Sequence, residues 1–289
     1  MIRFGTETDR QEIMALWEES FGDAQAEITE FFRCLAGEVR VLVWEETGRI
    51  LGQLCLLPVR LWSYGKAAKA EYIYAVATKA KARGRGICTG LLSAAACLLK
   101  EEGSCGVLVP ADSGLAKFYE KRGFSPCFYE KIWEVEVSDE KETCRRGNAW
   151  QGGSGGRYVT EPMSVFAYIQ CRRNAFYGAA GVEPSDAMLE YAVSSFVREG
   201  GICTGLLCEE KVCGVLCRME RGAKSTPREN TLLIQEITVK GKEEAIRAAQ
   251  ALLKHFDCRR ALLRRSYDAF GLYLPAALEK DGCFNLVLN

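Results

Sequence analysis

The chain has 289 residues, enough for about two domains at roughly 150 residues each. Lys+Arg is 38 and Asp+Glu is 38, and a net charge of zero gives no electrostatic case for DNA or RNA. Hydrophobic residues make up 48% and charged residues 26%, which excludes collagen-like, fibrous and disordered classes and predicts a core-forming globular protein.

Residues 1–10 lack a basic stretch followed by an apolar one, so no signal peptide is expected. The longest apolar run, Ile87 to Leu99, contains Thr89 and Ser93 and falls short of the roughly 18 residues a span needs. A cytoplasmic protein without a membrane partner is the expectation, and its 14 cysteines read as reduced thiols.

In chain order, Ile2 to Phe4 reads as a strand. Thr8 or Asp9 caps a helix with Ile13, Leu16, Trp17 and Phe21 at helical spacing, and a second helix carries Ile28, Phe31 and Phe32. Val41 to Trp44 and Ile50 to Pro58 form a hairpin, and Glu71 to Thr78 a strand. Gly86 to Glu102 is a helix, and Gly106 to Pro110 a nearly all-apolar, central strand. Gly114 to Arg122 is a helix stopped by Gly123. Phe128 to Val137 supplies the last strands of a first domain, residues 1–140. Residues 141–157 are polar and Gly-rich, as in a linker.

A second domain, 158–289, repeats the order. Helices cover Met163 to Asn174 and Ser185 to Arg198, and a hairpin joins Ile202–Cys208 to Val212–Met219. A strand at Leu232–Val239, a helix at Glu243–Phe256 and a strand at Ala261–Arg265 follow. A short helix at Leu274–Lys280 and a strand at Phe284–Leu288 close it. This order implies an internal duplication. The string Gly-Ile-Cys-Thr-Gly-Leu-Leu occurs at 86–92 and at 201–207. The second copy runs straight into the turn Glu209-Glu210-Lys211, so it reads as strand and the repetition as coincidence.

No metal is expected. There is no Cys-x-x-Cys, and Cys203, Cys208, Cys213 and Cys217 are spaced too widely for a zinc knuckle. They read as small buried hydrophobes in strands. The single histidine, His255, reads as a helix-terminal surface residue, with no nucleophile elbow to serve.

The chemistry concentrates between Val76 and Gly90. There a strand ends, and the basic, Gly-rich turn Lys79-Ala80-Lys81-Ala82-Arg83-Gly84-Arg85-Gly86 enters a helix. Glycines admit close backbone approach, and the unpaired amides and positive dipole of a helix start suit a pyrophosphate. The Walker pattern fails because Leu91, not Lys, follows Gly90. The dinucleotide pattern fails because Thr89 stands where a third glycine is required. A third pattern, Arg/Gln-x-x-Gly-x-Gly/Ala, fits at Arg83, Gly86 and Ile87, with Cys88 in a small-residue position.

That third pattern, with Phe118-Tyr119-Glu120-Lys121-Arg122-Gly123-Phe124 about 30 residues on, resembles the Gcn5-related N-acetyltransferase (GNAT) superfamily over roughly residues 1–138. The second half resembles a degenerate copy without the Arg-Gly-Arg-Gly loop. The two-copy layout is similar to the Eis-like acetyltransferases, whose further sterol-carrier-like domain this chain is too short to hold. The fold implied is mixed-sheet α/β: two tandem acyl-coenzyme A N-acyltransferase folds, the second degenerate.

The resemblance implies acetyl-coenzyme A as acyl donor. Backbone groups of Val76, Ala77 and Thr78 would hold the pantetheine arm. Amides of Gly84, Arg85, Gly86, Ile87, Cys88 and Thr89 would hold the pyrophosphate, with charge from Arg83 and Arg85. Asp112 and Ser113, ahead of the second motif, are further candidate coenzyme-binding residues. Tyr119 is the candidate acid, since a phenol is a reasonable donor to a departing thiolate. Glu71 is a candidate base; the terminal carboxylate of Asn289 and a water wire are alternatives. Trp17, Phe21, Phe31 and Phe32 fall where this superfamily lines its acceptor cleft, and core packing explains them equally. The function implied is N-acetyl transfer to a primary amine of a small molecule or peptide, with a homo-oligomer left open. A silent acyl-coenzyme A sensor or interaction module is the rival.

Overall fold

The computed structural model describes residues 1–63, 65–129, 132–137, 149–151, 157–179, 181–208, 211–221, 230–264 and 283–288. Two compact units emerge. The first holds Met1–Phe128, Val182–Tyr191 and Cys283–Asn289; the second holds Tyr129–Gly181 and Ala192–Gly282.

The first unit runs β1 (Ile2–Phe4), α1 (Arg10–Phe21), α2 (Gln25–Cys34), β2 (Arg40–Glu46), β3 (Arg49–Ser63), β4 (Lys66–Thr78), α3 (Ile87–Glu101), β5 (Cys105–Leu108), α4 (Ser113–Glu120) and β6 (Phe124–Tyr129). Asp9 anchors the start of α1: its carboxylate accepts the Thr6 amide at 2.8 Å and pairs with Arg3 at 2.7 Å. The α1 stripe Ile13, Leu16 and Trp17 is buried, as its spacing predicts. On the opposite sheet face, Leu42, Leu54, Leu56 and Ile73 pack against Ile87, Leu91, Leu92 and Ala95 of α3. Two close approaches press α3 onto this sheet. A Cβ at Gly52 would lie 2.5 Å from Ile87 Cγ2, and one at Gly90 would lie 2.5 Å from Trp44 Cζ3.

The second unit contains β7 (Ile132–Glu136), β8 (Ala149–Gln151), β9 (Arg157–Pro162), α5 (Val165–Phe176), β11 (Ile202–Cys208), β12 (Lys211–Glu220), β13 (Thr231–Ile237), α7 (Lys242–His255) and β14 (Arg260–Arg264). Strand β10 (Gly181–Pro184) pairs with β3, and α6 (Asp186–Arg198) contributes residues to both units. Leu232, Ile234 and Ile237 bury one sheet face against Ala245, Ala248, Ala249 and Leu252 of α7. The other face holds a polar trio. Glu236 accepts the Tyr168 hydroxyl and is paired with Arg172 at 3.1 Å, and all three are at most 2% exposed.

The first sheet has the order β1-β2-β3-β4-β5-β15-β6, and the second β7-β14-β13-β12-β11-β9-β8. Strand β15 (Cys283–Leu288) thus lies in the first sheet, antiparallel to β5 with Leu286 opposite Leu108. Reciprocally, β7 lies in the second sheet, antiparallel to β14 with Val135 opposite Ala261. The sequence assigns these two strands the other way round, because periodicity reports a strand but not its neighbour.

Strand β8 falls inside the expected 141–157 linker and pairs antiparallel with β9, Trp150 opposite Tyr158. The expected helix at Leu274–Lys280 and the carboxylate of Asn289 lie outside the described residues. The repeated string separates as expected: Ile87–Leu92 opens α3, whereas Ile202–Leu207 lies in β11. Cys213 and Cys217 are buried free thiols. His255 ends α7, exposed, with Nδ1 3.0 Å from Thr160 Oγ1. Among the described residues no helix is long and apolar enough to cross a membrane.

Candidate active site

The site is built where β4 gives way to α3. Lys79 is the last residue tied to the sheet, its amide donating to Leu51 O at 2.9 Å. A single 3-10 turn, Ala80–Ala82, follows, anchored by the Ala80 amide on Glu19 Oε1 at 3.0 Å. Gly84 and Gly86 then take φ of +78° and +80°, a left-handed conformation that costs other L-residues roughly 1–2 kcal/mol. A Cβ at either glycine would meet nothing within 4 Å, so the backbone is open to a ligand on that side.

No side chain caps α3 at Gly86, and the first loop-to-helix bond is Gly90 N–H to Gly86 O at 2.9 Å. The amides of Ile87, Cys88 and Thr89 therefore stand outside the helical ladder, at the positive end of the dipole. The corresponding helix α7 differs. It follows β13 after a short turn, starts at Gly241 with φ −122°, and carries Glu243 and Glu244 in its first turn. Those carboxylates stabilise the helix start themselves and repel an anion.

Beside the loop, β4 and β5 part. Their parallel ladder ends at Tyr72 opposite Val107, while β4 continues along β3 to Thr78. A bulge sets Ala75 and Val76 against Leu54, with Ala75 at φ +48°. Val76, Ala77 and Thr78 thus lie beyond the ladder with β5. Thr78 Oγ1 is buried without a hydrogen-bond partner, as are both polar atoms of Gln53, the cross-strand neighbour of Ala77. Buried polar atoms rarely go unpaired, and these two residues lie at, or opposite, the end of β4 where its ladder with β5 has stopped. Nothing in the sequence pattern singles out Gln53.

The two loop arginines already have partners. Arg83 Nε donates to Thr78 O at 3.3 Å, folding back on the strand end. Arg85 pairs with Glu46 at 2.7 Å; that bond, with help from the Trp44 indole, holds the Glu46 carboxyl below its usual range. Asp112 caps α4 by accepting the Leu115 amide at 2.8 Å, and Ser113 is the first helical residue. Both sit at the end of the chain segment leaving β5.

Tyr119, on α4, is 8% exposed and packs edge-on against Phe118 and Phe124 with centroids at 5.4 and 5.6 Å. Burial, reinforced by Cys88 and opposed by Arg122, pushes its phenol up to about 12. Cys88 of the α3 first turn is thus electrostatically coupled to Tyr119, and burial raises its thiol too. Arg122 ties the helices together. Its Nε donates to Thr89 Oγ1 at 2.9 Å, Nη1 donates to Phe118 O at 2.6 Å, and its guanidinium lies 3.3 Å from the Phe118 ring centroid.

Glu71 lies on β4 within the paired segment, opposite Gly106. Arg40 donates to its Oε1 at 3.0 Å and also pairs with Glu102 at 2.6 Å. Oε2 is buried and has no partner. Burial raises the Glu71 carboxyl above the ordinary glutamate value, outweighing the opposing pull of Arg40. On the other face of β4, Tyr72 and Tyr74 stack at 5.6 Å, and Tyr74 meets Trp17 at 5.5 Å and Phe31 at 5.7 Å. Trp17, Phe31 and Phe32 are at most 6% exposed, so they are core residues, while Phe21 is 48% exposed.

Comparison with known proteins bears on this arrangement. Residues 1–127 match the family profile described as "Acetyltransferase (GNAT) domain". No curated protein matches. Among solved structures, a probable N-acyltransferase from Enterococcus faecalis superposes with TM-score 0.73 at 14% identity, over 99% of this chain and 72% of that one. A GCN5-related N-acetyltransferase from Anabaena variabilis gives 0.72 at 16%, over 99% and 72%. Eis1 from Mycobacterium abscessus gives 0.66 at 12%, over 99% and 73%. At these identities the likeness is one of fold, and it extends over both units.

Proposed function

We propose, from the premise that residues 1–127 are a GNAT acetyltransferase domain, that this protein transfers an acetyl group from acetyl-coenzyme A to a primary amine of a small molecule or peptide. The observation that carries this reading is the uncapped start of α3, opened by two left-handed glycines beside a strand whose ladder has ended. That combination fits a pyrophosphate and an extended pantetheine arm. Acetyl-coenzyme A, when bound, supplies an acyl group already activated as a thioester. Main-chain groups of Val76, Ala77 and Thr78, with Thr78 Oγ1, would hold the arm. The amides of Gly84 through Thr89 would hold the diphosphate, with Arg83 and Arg85 re-aimed from their protein partners. Asp112 and Ser113 would border the arm.

Tyr119 Oη keeps its proton across the physiological range and serves as donor to the departing sulfur. A thiolate left in the same apolar surroundings is itself raised by desolvation, which narrows the mismatch with a phenol near 12. A primary amine with pKa about 10.4 arrives charged and must lose a proton before it attacks. Glu71 Oε2, buried and unpartnered while Arg40 grips Oε1, is the oxygen assigned to take it.

Catalysis is assigned to the first unit alone. Counted from the parallel pairs, Leu232 opposite Ala261 stands where Glu71 opposite Gly106 does, and α7 offers acidic side chains where α3 offers bare amides.

A thiol-release assay across amines, peptides and aminoglycosides tests this. Tyr119→Phe is expected to lower kcat by roughly 10² to 10⁴, the usual range for a lost general acid, with KM for acetyl-coenzyme A nearly kept. An unchanged kcat removes the acid role. Tight coenzyme binding without thiol release on any amine favours the sensor reading.

A further inference from the structure

Three arginines lie at the start of α3, and they differ in what already holds them. Arg85 is exposed and pairs with Glu46 at 2.7 Å. Arg83 is exposed and folds back on Thr78 O. Arg122 is partly buried, and among the described residues it forms no ion pair with a carboxylate.

The aim of Arg122 follows from how α4 ends. Gly123 takes φ +90°, the left-handed conformation that stops a helix. The Arg122 amide donates to Tyr119 O at 2.8 Å, three residues back. Phe118 O, which that amide would take in a continuing helix, receives Arg122 Nη1 instead at 2.6 Å. A cation is favoured at this negative end of the helix dipole. The Phe118 ring, its centroid 3.3 Å from the guanidinium, fixes the plane. From that position Nε donates to Thr89 Oγ1 at 2.9 Å.

Thr89 is the third residue of α3, and its amide stands outside the helical ladder. Its hydroxyl oxygen receives the Arg122 proton, so its own proton is left to donate, and among the described residues no acceptor takes it. The charge of Arg122 also reaches the neighbouring groups. Burial raises the Cys88 thiol and the Tyr119 phenol, and Arg122 opposes the rise in both. In the second unit the third residue of α7 is Glu244, an acceptor where α3 has a donor.

We propose that Arg122 is a resident cation of the diphosphate site and acts through the Thr89 hydroxyl. The assignment rests on the acetyl-coenzyme A reading given above. Thr89 Oγ1 donates to a diphosphate oxygen beside the amides of Ile87, Cys88 and Thr89, and the guanidinium behind it offsets the anion's charge. Arg83 and Arg85 must leave their partners to contribute, whereas Arg122 is already in place. Arg122 is thus a positioning residue with two outlets, because it also closes the helix that carries Tyr119.

Calorimetric titration of the full chain with coenzyme A at several salt concentrations tests this. Arg122→Met and Thr89→Val should each weaken binding about tenfold. Both break one relay, so the double variant should be no more than about twofold weaker than the weaker single. Thr89→Ser, which restores the hydroxyl, should recover most of what valine loses. Salt screens contacts between charges, so the affinity of Arg122→Met should fall less steeply with salt than that of the wild type. Arg122→Lys and Thr89→Val keep the cation and should keep the wild-type slope; damage to packing alone would not change it. Lys100→Gln, exposed near the far end of α3, should leave affinity and slope unchanged. Thermal melts check folding, and if Arg122→Met melts early the two Thr89 variants carry the test. Wild-type affinity and slope in Arg122→Met, equal losses in Thr89→Ser and Thr89→Val, or a double variant weaker by about a hundredfold overturns the assignment. A wild-type protein that binds no coenzyme A overturns the acetyl-transfer reading itself, and this assignment with it.

Discussion

Gly52→Ala tests packing and cofactor binding together. Its Cβ would lie 2.5 Å from Ile87 Cγ2, 3.1 Å from Leu91 Cδ1 and 3.2 Å from Ala77 O. Carbon contacts settle near 3.5–4.0 Å, so Ile87 must retreat by about 1 Å. It cannot do so cheaply. Ile87 is β-branched and 2% exposed, Leu91 is fully buried, and the third neighbour is β4 backbone. Overpacking of this kind costs about 1–3 kcal/mol, offset by about 0.4–1 kcal/mol because alanine restricts the unfolded chain. The relief available is to lift the first turn of α3, which carries the amides of Ile87, Cys88 and Thr89. Hydrogen bonds near 2.9 Å do not survive a shift of about 1 Å. At roughly 0.5–1.5 kcal/mol each, loss of two weakens coenzyme A by about tenfold or more. Urea denaturation and calorimetry read the two effects. Gly37→Ala, with φ +85° and open space around its Cβ, is the control, destabilised by backbone strain alone with coenzyme binding kept. A destabilised Gly52→Ala protein with wild-type coenzyme affinity would refute the assignment of α3 as the diphosphate site.

Gly86→Val, placed in the left-handed region at φ +80°, should cost about 1–2 kcal/mol and remove coenzyme binding in calorimetry. Because burial raises the Glu71 carboxyl, kcat should fall as pH drops through a value above that of free glutamate. Glu71→Gln should abolish that acidic limb, and Arg40→Met, which removes the opposing charge, should move it higher. The stability linkage has the opposite sense: the raised carboxyl stabilises the fold at low pH, and this is lost as pH rises through its folded value. Arg172→Met leaves the Glu236 carboxylate buried without its cation, and urea denaturation should show a loss of about 3–5 kcal/mol. Adding Glu236→Leu should restore much of that.

Much of this architecture was legible before the coordinates. Helical spacing located α1 and α2 through Ile13, Leu16, Trp17, Ile28 and Phe31, and Gly123 marked the stop after α4. The glycine-and-arginine spacing located the loop, because bare amides at a helix start need those residues there. Pairing was not legible. The exchange of β7 and β15 depends on which edge each strand meets, and alternation along a strand does not encode its partner. The Arg40–Glu71–Glu102 chain joins residues up to 62 positions apart, and no local signal announces it. The same holds for Gln53, whose burial comes from the elements folded over it. Ile-Cys-Thr-Gly-Leu-Leu is helix in α3 and strand in β11. The flanks decide: a long apolar stretch follows the first copy, a turn the second.

The exchange of β7 and β15 also constrains inheritance. In a chain of two compact units, either is ordinarily free to be lost. Here the sheet bearing the β4–α3 loop takes β15 from beyond the second unit, and β7 goes to the other sheet. Deleting the second half would leave β5 with an exposed, unpaired edge at the heart of the sheet, an invitation to aggregation. On the proposed reading that catalysis belongs to the first unit, the second is thereby retained by architecture, whatever its own chemistry.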